Sequence, residues 1–176
     1  MQVLGIDPGT GTTGYGVVRR SDEAGGRSGP ASLVECGVIR TNAGDSLGAR
    51  LREIYDGVDA LIARHRPDVL VVEDIFYSRN VRTTVVLGHV RGVILLAGER
   101  GGLTIQEYAP ATIKKAVVGR GGATKEQVQF MIMRLLRLQA VPHPSDAADG
   151  VAAALAYCLF PPLTDRRALS AIGRTA

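Results

Sequence analysis

Hydrophobic and polar positions alternate along the first forty residues and then change period. The apolar run 2–7, "QVLGID", stops at an Asp-Pro-Gly turn signal and predicts a strand. Loose alternation over 13–20 predicts a second strand, and 33–41, "LVECGVIRT", a third. The polar Gly/Ser stretch 21–32 between them reads as a hairpin tip. Short links between three strands predict an antiparallel meander. Leu47, Leu51, Ile54, Tyr55, Val58, Leu61 and Ile62 then recur at helical spacing and predict an amphipathic helix over 46–65. The nearly all-apolar 68–74, "DVLVVED", predicts a central parallel strand covered on both faces.

A helix is predicted over 82–100, a strand over 102–108 and a short helix over 110–118 with Pro110 at its start. After the loop 119–123, Thr124 with Gln127 three residues later has the spacing of a capping box and starts a helix over 124–138. An Ala-rich helix follows within 142–160, and the tail beyond Pro161 and Pro162 reads as frayed. This order predicts one α/β domain over 1–160, a mixed five-stranded sheet with helices on both faces, and a tail over 161–176.

Composition narrows the class. The apolar share of 45% and charged share of 22% are those of an ordinary soluble domain. No uninterrupted apolar run reaches about 18 residues, so no membrane contact is expected. The start lacks a basic segment and a cleavage site, so it reads as a strand rather than a leader, and a cytoplasmic location is expected. Cys36 and Cys158 lie far apart without metal-ligand spacing and read as buried thiols. The net charge is +4 and unevenly spread. Residues 76–137 hold ten Lys/Arg against three Asp/Glu, a balance of +7, and the rest of the chain carries −3. A basic block of this kind suits a polyanion such as nucleic acid, and equally a solvated surface rich in arginine.

Four carboxylates stand where the predicted elements converge. Asp7 closes the first strand and Glu73 the central one, and ligand sites in parallel sheets lie beyond the carboxyl ends of strands. Asp146 and Asp149, three apart in "SDAADG", share one helix face, and Ala147 and Ala148 between them permit close approach to the sheet. Converging carboxylates repel one another unless a cation intervenes, and an all-oxygen donor set selects a hard ion such as Mg²⁺ or Mn²⁺. Two such ions suit in-line phosphoryl displacement. Plainer readings exist for each residue. Asp7 suits a turn cap, Asp146 a helix cap, Asp149 the helix dipole and Glu73 an arginine partner.

"GRGGATK" at 119–125 lacks the spacing of a nucleotide P-loop. Flanked by Lys114, Lys115, Arg120 and Lys125, it suits a sugar-phosphate backbone or a plain helix connection. Phe76 and Tyr77 follow Glu73 closely and precede Arg79 and Asn80; they suit stacking on unpaired bases or ordinary packing.

With "GIDPGTGTTGYG", "VVEDIFYSRN", "GHVRGV", "EYAPATIKKAVVGRGGATKEQV" and "HPSDAADGVAAALAY" in order, the chain resembles the RuvC family of bacterial Holliday junction resolvases over roughly 1–160. The first motif alone is shared with actin-like ATPases and sugar kinases, whereas the ordered set is specific. The resemblance implies a ribonuclease H-like fold, a homodimer, and Mg²⁺-dependent endonuclease activity that resolves four-way DNA junctions in recombination and repair. It implies paired symmetric nicks by metal-activated water, with Mn²⁺ as a substitute and two ions per site, and a branch-migration motor as partner. Carried over by motif, Asp7, Glu73, Asp146 and Asp149 are the catalytic and metal-binding set. Phe76 matches an aromatic inserted at the junction, and Lys114 and Lys125 match basic residues near the scissile phosphate. Tyr77, Arg79, Asn80, Lys115 and Arg120 join them as candidate DNA contacts. The loop at 21–32 is longer than usual, and a role for His143, three residues before Asp146, stays open. Two other classes stay in view, an actin-like phosphotransferase, which needs two lobes, and a non-catalytic junction binder whose carboxylates hold only a structural ion.

Overall fold

A computed structural model describes residues 1–22, 28–74 and 81–161. Its strands are β1 (Gln2–Asp7), β2 (Thr12–Asp22), β3 (Ser28–Arg40), β4 (Val69–Glu73) and β5 (Thr104–Tyr108). Its helices are α1 (Leu47–His65), α2 (Val81–Arg100), α3 (Pro110–Val118), α4 (Lys125–Leu135) and α5 (Ser145–Leu159). The strands form one sheet in the order β3-β2-β1-β4-β5. The meander β1-β2-β3 is antiparallel, and β4 and β5 run parallel to β1. The expected mixed five-stranded sheet is therefore present, with helices on both faces.

The alternation of side chains across a strand sorts the core into two layers. Val3 of β1 and Val69 and Val71 of β4 face α3, α4 and α5. Leu4 and Ile6 of β1 and Leu70 and Val72 of β4 face α1 and α2. β1 and β4 pair with Val3 opposite Val69 and Ile6 opposite Val72. Continuing that register sets Asp7 beside Glu73, and their odd-numbered parity places both on the α5 face.

α5 lies closest to the sheet because both surfaces have been stripped of side chains. A Cβ on Gly5 would collide with the Gly150 carbonyl and the Ala154 backbone. One on Gly14 would collide with the Asp146 carbonyl, and one on Gly150 with the Tyr15 backbone. Residues Gly150 to Cys158 are all buried, since α3 and α4 cover the helix on its other side.

Several boundaries depart from the sequence reading. The tip expected over 21–32 is shorter, because β2 runs to Asp22 and β3 begins at Ser28; two strands pairing with each other need no apolar face to extend. α4 ends at Leu135 rather than near 138, with Arg137 in the left-handed region just beyond. α5 begins at Ser145, after Pro142 and Pro144, inside the segment expected to hold it. α2 is also long and apolar enough to cross a membrane by length and composition, although Arg91 interrupts the run. Its inner side, with Val90, Ile94 and Ala97, is part of the core. Val81, Val85 and Leu96 are exposed.

Candidate metal-dependent nuclease site

The carboxyl ends of β1 and β4 open into a cavity of about 240 Å³ lined by Asp7, Glu73, Lys114, Lys125 and Asp149. Its apolar walls are Pro110, Ile113, Val128 and Ala152. Two of the walls follow from helical spacing, since Val128 lies three residues after Lys125 and Ala152 three after Asp149. The sequence reading named the charged residues and missed these walls, which look like ordinary core positions.

The turn-cap, helix-cap and arginine-partner roles are not taken by Asp7, Asp146 and Glu73. The turn after β1 is closed by Thr13, whose buried hydroxyl donates to the Gly9 carbonyl at 2.7 Å and accepts from the Gly9 amide at 3.4 Å. Asp7 is thus spared for the cavity. The α5 N-cap is Pro144 with no side-chain cap, and Asp146 sits in the first turn. Among the described residues Glu73 has no arginine partner; Arg91 instead pairs with Asp74 at 3.4 Å and with Glu107.

Burial sets the electrostatics. Asp7 is pushed up to about 7, first by burial and then by Asp149 and Asp146. Glu73 is pushed up to about 8 by burial, then by Asp7 and Asp149. Burial also raises Asp149, although Lys125 Nζ donates to its Oδ2 at 2.6 Å and opposes the shift. These causes join all four carboxylates in one field, with Asp146 felt by Asp7 and Asp149.

Among the described residues no three Asp, Glu, His or Cys side chains converge tightly enough, as they stand, to hold a metal ion. The donor chemistry nevertheless fits a hard divalent cation. The donors are all carboxylate oxygens, and two of them are pushed up to about 7 and about 8 by burial first and by neighbouring carboxylates second.

The basic residues divide. Lys114 and Lys125 line the cavity. Lys115, next along α3, faces a separate hollow with Thr112, Ala116, Gly119 and Phe160. Arg120 is exposed and donates to Gln127 Oε1 at 2.8 Å. The capping box of Thr124 and Gln127 forms as expected. His143 is exposed and does not line the cavity. Phe76, Tyr77, Arg79 and Asn80 lie outside the described residues.

The model of the family described as crossover junction endodeoxyribonuclease RuvC matches residues 3–157. The chain belongs to the RuvC family. A RuvC from Syntrophomonas wolfei is 43% identical over 157 residues, covering 89% of this chain and 88% of that protein. The structure of Thermus thermophilus RuvC superimposes with a TM-score of 0.81 at 32% identity, covering 90% of this chain and 94% of that one. The same RuvC in complex with a Holliday junction substrate superimposes with a TM-score of 0.80 at 30% identity, over the same shares of the two chains. RuvC membership accounts for the mixed sheet and for the ordered motifs.

Proposed function

We propose that the chain resolves four-way DNA junctions by paired symmetric nicks, as a metal-dependent endodeoxyribonuclease acting in recombination and repair. The observation that carries this reading is the meeting of Asp7, Glu73 and Asp149 from three separate elements in one cavity beside Lys114 and Lys125. Asp7, Glu73, Asp146 and Asp149 would hold Mg²⁺, two ions per site, with Mn²⁺ as a substitute. Bound there, divalent ions supply charge neutralisation and acidify a water for attack on the phosphodiester. The chain's own residues do the rest. β1, β4 and α5 fix the carboxylates, and the walls Ile113 and Val128 exclude bulk water from one side. Lys114 and Lys125 would attract the scissile phosphate, with Lys115, Arg120, Arg79 and Asn80 following the backbone further out and Phe76 and Tyr77 stacking on bases.

Residues 1–160 would form the nuclease domain and 161–176 a tail. A homodimer supplies the second nick, since two sites related by a two-fold axis match the symmetry of the junction. Its contact would use the outward stripe of α2, where Val85 and Leu96 are exposed and the exposed glycines Gly88 and Gly92, four apart, admit a second backbone. A branch-migration motor would deliver the junction, and the cytoplasm is the compartment such an enzyme would occupy.

The test is incubation with a synthetic mobile four-way junction and Mg²⁺, mapping cuts on all strands. Paired cuts at symmetric positions are expected. Binding without cuts would leave the non-catalytic junction binder in its place.

A further inference from the structure

We propose that Lys125 is a tethered counter-ion for Asp149 that leaves the carboxylate when a divalent ion arrives, so that ion loading and release of the Lys125 ammonium are one exchange. This rests on the reading of Asp149 as an ion ligand. Lys125 and Lys114 both line the cavity, yet they are used differently. Lys125 Nζ lies 2.6 Å from Asp149 Oδ2, whereas among the described residues Lys114 forms no ion pair. The contact therefore selects one carboxylate rather than marking a diffuse basic rim.

The geometry suits a reversible contact. Lys125 is the first residue of α4, and the Thr124–Gln127 capping box fixes its backbone. The flexible four-carbon stem is then the part free to move. The Lys125 side chain keeps 47% of its exposure while that of Asp149 keeps 25%, so the ammonium can return to water without any backbone shift. A hard dication at the same oxygen would repel the ammonium at contact distance. The positive charge near Asp149 is retained throughout, first as ammonium and then as ion. The displaced Lys125 stays at the mouth of the same cavity, where an incoming phosphate is its natural partner.

The experiment is Mn²⁺ titration calorimetry on the parent, Lys125→Met and Lys125→Arg. Removing the competing charge should tighten Mn²⁺ about tenfold in Lys125→Met, equivalent to about 1.4 kcal/mol, while Lys125→Arg stays within about threefold of the parent. The Mg²⁺-dependence of the melting deficit adds a readout that a merely structural lysine would not show. Lys125→Met should melt lower than the parent in EDTA and equal to it in saturating Mg²⁺. Unchanged or weaker Mn²⁺ affinity, or the same melting deficit in both buffers, overturns the exchange while leaving the ligand reading intact. A parent chain that binds no Mn²⁺ overturns both. The chain has only three lysines, Lys114, Lys115 and Lys125, so ¹³Cε-lysine spectra of the parent provide a check that needs no folded variant. The Lys125 signal should shift most on Mg²⁺ addition, and one that stays put overturns the exchange.

Discussion

Two charged clusters flank the sheet on opposite faces, one built around a single carboxylate and one around several, and they follow opposite principles. On the α1 side, Glu35 of β3 accepts from the Tyr15 hydroxyl at 2.8 Å and Arg64 at 2.6 Å, and its second oxygen meets His65 Nε2 at 3.0 Å. Although burial pushes the other way, these partners hold Glu35 below the ordinary carboxylate range, while burial first and the Glu35 contact second lift Tyr15 to about 12. On the α5 side, Asp7 and Glu73 are buried among like charges and rise to about 7 and 8. The first cluster is closed, with its charge neutralised by side chains of the fold itself. The second is under-compensated, and its charge is available to something that is not part of the chain. What separates the two is the set of partners around the acidic groups.

The largest test of that contrast is catalytic. Asp7→Asn should lower junction cleavage by about a thousandfold or more while leaving junction binding in place, as measured by parallel nicking and gel-shift titrations. Glu35→Gln should keep cleavage within about twofold. It should instead cost about 1–2 kcal/mol of stability in urea unfolding, because the Arg64 and His65 contacts lose their charged acceptor. Comparable loss of cleavage in both variants would erase the distinction.

Next in size is a pH effect of opposite sign in the two clusters. The folded pKa values of Asp7 and Glu73 lie above their unfolded ones, so the folded chain binds protons more tightly there. Their contribution is full below about pH 4 and is lost as pH rises through 7 to 8. Glu35, lowered on folding, contributes above its unfolded pKa and is lost as pH falls through its folded value. In EDTA the melting temperature should therefore drop by about 5 °C or more between pH 6 and 9. Mg²⁺ should flatten that drop, and Asp7→Asn should shrink it. The smallest effect is electrostatic. Lys114→Ala should reduce the slope of log K against log salt for junction binding by about 0.9, the share of one phosphate.

The open cluster was legible in the sequence because its residues end periodic segments. Asp7 and Glu73 each close an apolar strand, which places both at the carboxyl ends, and the Asp146–Asp149 spacing adds the helix. The closed cluster was not, because Glu35, Arg64 and His65 look like a strand surface and an ordinary helix end until β3 and α1 are brought together. Lys114 and Lys115 read as one basic pair, yet adjacent helical positions diverge by about 100°, and only Lys114 reaches the cavity. The ends of β2 and β3 were hidden by their polar composition, since their ladder depends on each other and not on a core.

The bare-backbone seat of α5 on Gly5 and Gly14 acts like the fixed jaw of a calliper. Because the gap is closed by main chain, no rotamer adjustment can widen or narrow it, and the distance from the Asp7 strand to the Asp149 helix is set by atomic radii. A single added methyl at position 14 would wedge the jaws apart. If Asp7 and Asp149 share an ion as proposed, such a wedge would change first which size of dication fits between them.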